Sequence, residues 1–328
     1  MAPVPPLLVR TARHCWHWQW RQLMGGLAPA DSEGNYRRPA GAFTALPPLP
    51  EDAAAPDGHV LIVGRSCPWA HRAWLVWSLR RLAGSITLEV VEPDPEAGRW
   101  RFTRPFLGCT TLQELYRACG APSSLRATVP VLVSRHQPRV VVGESARLIE
   151  LLNQWPSPQP LDLDPAPQQA ATTHWREKLQ HSVNDGVYRC GFARTQAAYD
   201  RAEAALFATL GELEQHLTNR PDSWLSGPQL SLADVQLFPT LIRLELVYAP
   251  LFGVSRLPLW QLPALWRWRS RFHGLPGVGD TCDPAAWRQD YFGALFPLHP
   301  SGIVPAGPSL ATLVGEPPAR RPEIGEAP

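Results

Sequence analysis

The chain has 328 residues, 45% of them hydrophobic, a length that predicts about two domains with a core buried without disulfides or metal. Its 31 Lys and Arg against 29 Asp and Glu leave a formal net charge of +2, which excludes a nucleic-acid-coating protein. No run of about 18 apolar residues is present, so neither a transmembrane helix nor a membrane partner is expected.

Residues 1–57 read as an irregular, Pro-rich extension with one short Trp-rich segment, Cys15–Met24. Met1–Met24 carries Arg and no acid, a weak likeness to a transit peptide, but it lacks Ser/Thr enrichment and a long apolar run. A cytoplasmic location is therefore expected. Val60–Val63 is an apolar run of strand length, Gly64–Cys67 a loop, and Pro68 suits the first turn of a helix. Ala70, Ala73, Trp74, Trp77 and Leu82 supply helical periodicity up to Gly84, and Ile86–Val91 reads as a second strand. This strand-loop-helix-strand unit predicts a layered α/β domain over residues 58–155. Val129–Val133 and Arg139–Val142 are further strands, followed through Gly143-Glu144-Ser145 by a helix over Ala146–Asn153.

Pro156, Pro158, Pro160, Pro165 and Pro167 mark a linker, 156–169, that cannot be helical. Long helical patterns then predict an all-helical domain, 170–308, with helices over Ala170–Ser182, Gln196–Asn219, Ala233–Tyr248 and Leu262–His273. Ser231-Leu-Ala-Asp234 has the form of a capping box. Residues 309–328 are rich in Pro, Gly and Glu and are expected to be a poorly ordered tail.

The cysteines Cys15, Cys67, Cys109, Cys119, Cys190 and Cys282 form no CxxC pair and no zinc-spaced cluster, so free thiols and no metal are expected. Cys67 is the sharpest chemical signal. It lies between a strand and a helix that opens at Pro68, where unpaired N–H groups and the helix dipole stabilise a thiolate. Arg65 and Arg72 add positive potential. A buried, inert cysteine is the alternative. The third residue after Cys67 is Ala70, so a disulfide formed at Cys67 needs an external thiol to resolve it, and glutathione is the obvious one.

Thr128-Val129-Pro130 is the second signal. A cis Val129–Pro130 bond turns the Val129 backbone toward the Cys67 loop, where it can pair with an extended peptide such as glutathione; a trans proline at a strand edge is the alternative. Glu144-Ser145 is the third. Ser145 can cap the helix beginning at Ala146 and hold a carboxylate there, while Glu144 can take an ammonium group. A γ-glutamyl moiety carries both; an ordinary cap beside a surface acid is the other reading.

Taken in order, these features resemble the glutathione transferases: an α/β thioredoxin-like domain followed by an all-α domain. Four segments narrow the resemblance to the glutathionyl-hydroquinone reductases, the Xi class. They are Ser66-Cys67-Pro68-Trp69-Ala70-His71-Arg72; Asn184 to Ala193 with Thr195, Gln196 and Tyr199; Gly302-Ile303-Val304-Pro305 with Gly307-Pro308; and Leu27 to Gly34 with Tyr36, Arg38 and Pro39. The match runs from about residue 16 to residue 308. The resemblance implies that Cys67 is the nucleophile and that Trp100, Arg126, Ala127, Thr128, Val129, Glu144 and Ser145 contact glutathione, the co-substrate. It implies Tyr188 as proton donor or acceptor, with Tyr248 and Tyr291 walling the hydroquinone pocket and tuning the thiolate. It also implies a homodimer joined through the helical domains. Cys190, Val133, Gly41 and Phe292 depart from the family's usual residues, which affects the pocket's shape but not the thiol chemistry. An omega-type thioltransferase or dehydroascorbate reductase, or a non-catalytic binding protein on a transferase fold, are the alternatives. Ordinary glutathione conjugation fits less well, because it uses a Ser or Tyr hydroxyl.

Overall fold

Strand β1, His59–Gly64, is buried at every position, as its unbroken apolar run requires of a central strand. It pairs parallel with β2, Ile86–Asp94, and antiparallel with β5, Val131–Ser134. β3, Arg99–Phe106, and β4, Cys109–Thr111, extend one edge, and β6, Arg139–Val142, closes the other. The sheet order is β4-β3-β2-β1-β5-β6. The computed structural model describes residues 4–39, 41–94, 96–135, 138–159, 161–295 and 298–317.

The first helix, α1, spans Pro6–Leu27, so this part of the N-terminal extension is helical where irregular chain was expected, while the described residues from Ala28 to Asp57 hold no helix or strand. α2, Pro68–Leu79, buries most of its length between the sheet and the helices that follow. α3 is Leu112–Ala118, and α4 is Ser145–Gln154. The helical part contains α5, Gln169–Leu179; α6, Gly186–Gly191; α7, Gln196–Thr218; and α8, Leu232–Leu241. It continues through α9, Ala249–Phe252; α10, Pro263–His273; and α11, Pro284–Ala294. Wide π turns at Gln180–Asn184 and Leu244–Tyr248 replace the helical ends expected at Ser182 and Tyr248. The sequence expectation of a disordered tail also fails at its start. α12, Leu310–Val314, buries Leu313, and Arg269 Nη2 donates to the Leu313 carbonyl at 2.6 Å. Residues 318–328 of that tail lie outside the described residues.

The stretch Leu232–Phe252 has 21 residues and a mean hydropathy of 1.3, enough by length and composition to cross a membrane. It is instead the core helix: 78% of its most apolar window is buried in the protein. Gln236, Arg243 and Glu245 interrupt the run and hid it from a search for continuous apolar residues.

The Ser231–Asp234 box opens this core helix. Asp234 Oδ2 accepts from Ser231 N at 3.0 Å and from Ser231 Oγ at 2.6 Å. Its Oδ1 accepts from Leu225 N at 3.0 Å and from Trp268 Nε1 at 2.9 Å. Asp234→Ala leaves these buried donors without an acceptor, each at roughly 1–3 kcal/mol. We expect it to lower unfolding free energy by about 3 kcal/mol or more, read by urea denaturation, whereas Asp234→Asn loses less.

Candidate active site

The chain reaches Cys67 through a loop fixed at both ends. Cys67 N donates to Gly64 O at 3.1 Å, and His71 N donates back to Cys67 O at 3.0 Å, opening α2 with Pro68 at its first position. Gly64 has to be a glycine, because a Cβ there would meet the Trp100 ring at 2.6 Å. Trp100 thereby lies across the end of β1, beside the thiol. Val129–Pro130 is cis, and Cys67 Sγ donates to the Val129 carbonyl at 3.6 Å.

Two cavities meet at Cys67. The first, about 300 Å³, is lined by Trp100, Arg126, Thr128, Val129, Glu144 and Ser145, with Arg38 and Gly41 from the extension. The second, about 280 Å³, is lined by Tyr188, Tyr291, Phe192 and Leu295 and shares Tyr36, Arg38, Cys67, Trp69, Trp100 and Arg126 with the first. Of these two cavities, Glu144 and Ser145 line only the first; Tyr188, Phe192 and Tyr291 line only the second, together with Asp185 and Asp290. Among the described residues no group of three His, Cys, Asp or Glu is placed to hold a metal ion.

Two candidate residues do not line either cavity. Ala127 turns its backbone toward α3, where its N–H donates to Gln113 Oε1 at 3.3 Å. Tyr248 is fully buried behind Tyr291, with their hydroxyls 3.4 Å apart. The helix cap is also reassigned: Glu144, not Ser145, occupies the cap position, and its Oε1 accepts from Ala146 N at 3.3 Å. Ser145 is the first helical residue, and Arg72 Nη1 donates to its hydroxyl at 3.5 Å.

Glutathionyl-hydroquinone reductase PcpF of Sphingobium chlorophenolicum is 32% identical over 264 residues, covering 77% of this chain and 84% of that protein. This chain belongs to the glutathionyl-hydroquinone reductase family, the Xi-class glutathione transferases. Residues 196–271 match the family model "Glutathione S-transferase, C-terminal domain". The glutathione transferase Xi structure from Phanerochaete chrysosporium superposes with a TM-score of 0.79 at 30% identity, over 85% of this chain and 94% of that one. The glutathione-bound structure of YqjG from Escherichia coli gives a TM-score of 0.73 at 30% identity, over 88% and 94%. The fold is therefore a thioredoxin-like α/β domain followed by an all-α transferase domain, and the protein is an enzyme of this superfamily.

In this reductase-family chain the thiol's electrostatics differ from the sequence expectation. The amides of Ala70 and Trp69 and the guanidiniums of Arg243 and Arg38 all favour the thiolate, but burial outweighs them and pushes the Cys67 thiol above its ordinary value. Cys67 faces the cavities, yet the surrounding protein removes most of the solvent that would stabilise a negative charge. The tyrosine hydroxyls do not take that role by direct contact. Tyr188 and Tyr291 hydroxyls are 2.5 Å apart and bonded to each other. Burial holds both well above the ordinary phenol value and raises Tyr248 as well.

Sequence reasoning missed the groups that hold this arrangement. Arg243, fully buried, donates from Nη1 to His71 Nδ1 at 2.9 Å and from Nη2 to Arg65 O at 3.3 Å. His71 is neutral, its ring held well below the ordinary histidine value first by burial and then by Arg243. Its Nε2–H is therefore left to donate to Thr281 Oγ1 at 2.7 Å. Trp287 Nε1 donates to the same Arg65 carbonyl at 3.0 Å. Arg38 stacks on Trp69 at 3.7 Å from the ring centroid and pairs with Asp185 at 3.2 Å, tying the extension over the site. Arg38 had appeared only as part of a family segment, with no signal of its position; Arg243 had no local signal at all.

Proposed function

We propose that this protein reduces S-glutathionyl-hydroquinones to hydroquinones with glutathione. The observation that carries the reading is the Cys67 thiol at the junction of a cavity that holds Glu144 and Ser145 and one that holds Tyr188, Phe192 and Tyr291. A conjugate fits such a junction with its peptide on one side, its ring on the other, and its sulfur at Cys67. The Cys67 thiolate attacks the glutathionyl sulfur. The sulfur–carbon bond breaks with its electron pair moving to the ring carbon, which takes a proton, and a Cys67–glutathione disulfide remains. A second glutathione thiolate attacks that disulfide, releasing oxidised glutathione and free Cys67. Atoms and electrons balance: one conjugate and one glutathione give one hydroquinone and one disulfide.

Carbon leaves poorly, so the keto form of the ring, with its weaker carbon–sulfur bond, has to be favoured. Tyr188 is proposed to hydrogen-bond a ring oxygen and to pass the proton, with Tyr291 bonded to its hydroxyl. Both remain protonated across the working pH range, since burial raises them well above the phenol value. Trp100, Arg126, Thr128 and Val129 are proposed to hold the peptide. The test is glutathione-dependent release of hydroquinone from its S-glutathionyl conjugate, run beside chloro-dinitrobenzene conjugation. Release without conjugation supports the reading, and conjugation without release overturns it.

Glu144 is the proposed partner of the γ-glutamyl ammonium, facing the first cavity beside the α4 N-terminus. A lost charge-assisted hydrogen bond is worth roughly 1.5–3 kcal/mol, about tenfold to over a hundredfold. Glu144→Gln should raise the KM for glutathione by that factor with a smaller change in kcat. Steady-state kinetics with an unchanged KM would remove Glu144 from the site.

A further inference from the structure

The second cavity is lined by four charged side chains, Arg38, Arg126, Asp185 and Asp290. Arg38 and Asp185 pair with each other at 3.2 Å. Arg126 lines the first cavity as well and is proposed to hold the peptide. Asp290 is the charge left over, and the proposed reaction gives it no task.

Its place on α11 is that of a wall residue. Asp290, Tyr291, Ala294 and Leu295 all line the cavity, so one face of the helix, at i, i+1, i+4 and i+5, is turned toward it. The other three are apolar or aromatic, as a wall against a ring requires. Asp290 is half-buried among them.

An acid withdrawn from water is ordinarily matched by a cation. Among the described residues Asp290 has no salt-bridge partner; the Ser66 side chain, from the loop that carries Cys67, hydrogen-bonds it. Its charged neighbours are two further acids, Asp283 and Glu92, which pair with Arg65 at 3.6 Å and Arg101 at 3.7 Å. Burial, opposed by the Ser66 hydroxyl and reinforced by these two acids, pushes the Asp290 carboxyl above the ordinary aspartate value. A carboxylate offers about four acceptor positions, and one hydroxyl takes one of them.

We propose that Asp290 sets the substrate class: the ring this protein accepts bears a hydrogen-bond-donating or cationic substituent that pairs with the Asp290 carboxylate, and rings bearing a carboxylate are turned away. The inference rests on the proposed reaction and narrows its substrate. Tyr188 and Tyr291 are assigned to a ring oxygen, so Asp290 reads a different position of the ring. A donor there fills the acceptor positions that Ser66 leaves. A carboxylate there would set like charges together in a half-buried wall that already has Asp283 and Glu92 nearby.

The test uses S-glutathionyl conjugates of hydroquinones carrying an ethyl, an aminomethyl or a carboxyl group, compared isomer by isomer. The three groups are similar in size and differ in charge. In the isomer that turns over fastest, wild-type kcat/KM for hydroquinone release should be about tenfold or more higher for the aminomethyl than for the carboxyl conjugate, with ethyl between. Asp290→Asn keeps the shape and the bond to Ser66, and should narrow that ratio to about threefold or less. Asp290→Glu should keep the preference, and Asp290→Leu should move it to the ethyl conjugate. The KM for glutathione should not follow the charge, because Asp290 does not line the first cavity.

Equal wild-type values for the three conjugates, or a preference for the carboxyl one, would overturn the assignment, while release from the ethyl conjugate would leave the reaction standing. A wild-type preference that Asp290→Asn leaves unchanged, with all three conjugates slowed by one factor, would also overturn it and make Asp290 a brace for the Ser66–Cys67 loop. No release from any conjugate by the wild type would overturn the reaction itself, and the substrate class with it.

Discussion

Cys67→Ser is expected to lower glutathione-dependent hydroquinone release about a thousandfold or more, with the melting temperature moved by no more than about 2 °C. A serine hydroxyl keeps the size and the hydrogen bond to the Val129 carbonyl but cannot form a disulfide. The proposed first step therefore has no product. Cys67 is half-buried and facing the cavities, so the exchange removes little packing. Mass spectrometry after exposure to oxidised glutathione supplies the second readout. Cys190 and Cys282 are pushed up to about 12 and about 11 by burial, and burial also raises Cys109 and Cys119. None of these four lines either cavity at the site. Cys15 is exposed on α1, so the comparison uses a Cys15→Ser background. One glutathione per chain, located at Cys67 and missing after Cys67→Ser, is the expected result. An active Cys67→Ser enzyme, or an adduct located at Cys190, would sink the mechanism.

What the sequence revealed follows from how local each signal is. β1 and α2 were legible because an apolar run and Pro68 act within a few residues, and the Val129-Pro130 turn stood out for the same reason. β3 was missed because RWRFTRPF buries only Phe102 and Phe106, so no strand periodicity shows. α1 was missed although Pro6 opens it, because Met24 is its one buried residue and its flanks are Pro-rich. Glu144 and Ser145 were placed at the right cavity with their capping roles exchanged, since one residue of helix boundary is beyond pattern reading. The direction of the Cys67 shift was misjudged for a different reason. The helix terminus can be read from Cys67-Pro68, but the depth of the thiol is set by packing across the whole chain. Arg243 and Trp287 are far in sequence from Arg65 and His71 and meet them only in the fold.

That meeting point gives the second large effect. Arg243→Met is expected to shift the midpoint of Cys67 alkylation to higher pH and to slow hydroquinone release at neutral pH. The guanidinium is fully buried, and its hydrogen bonds go to neutral groups: His71 Nδ1, the Pro239 carbonyl at 3.0 Å and the Arg65 carbonyl. Its field favours the thiolate, together with Arg38 and the amides of Ala70 and Trp69, against burial. Tyr188 and Tyr291 face the same pocket as neutral phenols, with Tyr248 neutral and buried behind them. The sign is therefore fixed: removing a cation that lowers an acid's pKa raises it, and less thiolate remains at neutral pH. Each unit of rise removes about tenfold of the reactive form, because the thiol already sits above its ordinary value. Raising the pH should restore the rate, which a collapsed site would not allow. Stability should fall by about 1–3 kcal/mol, mainly because His71 loses its donor, while Trp287 still holds the Arg65 carbonyl. Arg243→Lys separates charge from scaffold: it keeps the cation but not the planar fork. If Arg243→Lys titrates near wild type and Arg243→Met does not, the charge is what acts on Cys67. If Arg243→Met titrates as wild type does, Arg243 serves only to brace the Arg65–Cys67 loop, and access alone distinguishes Cys67 from the other thiols.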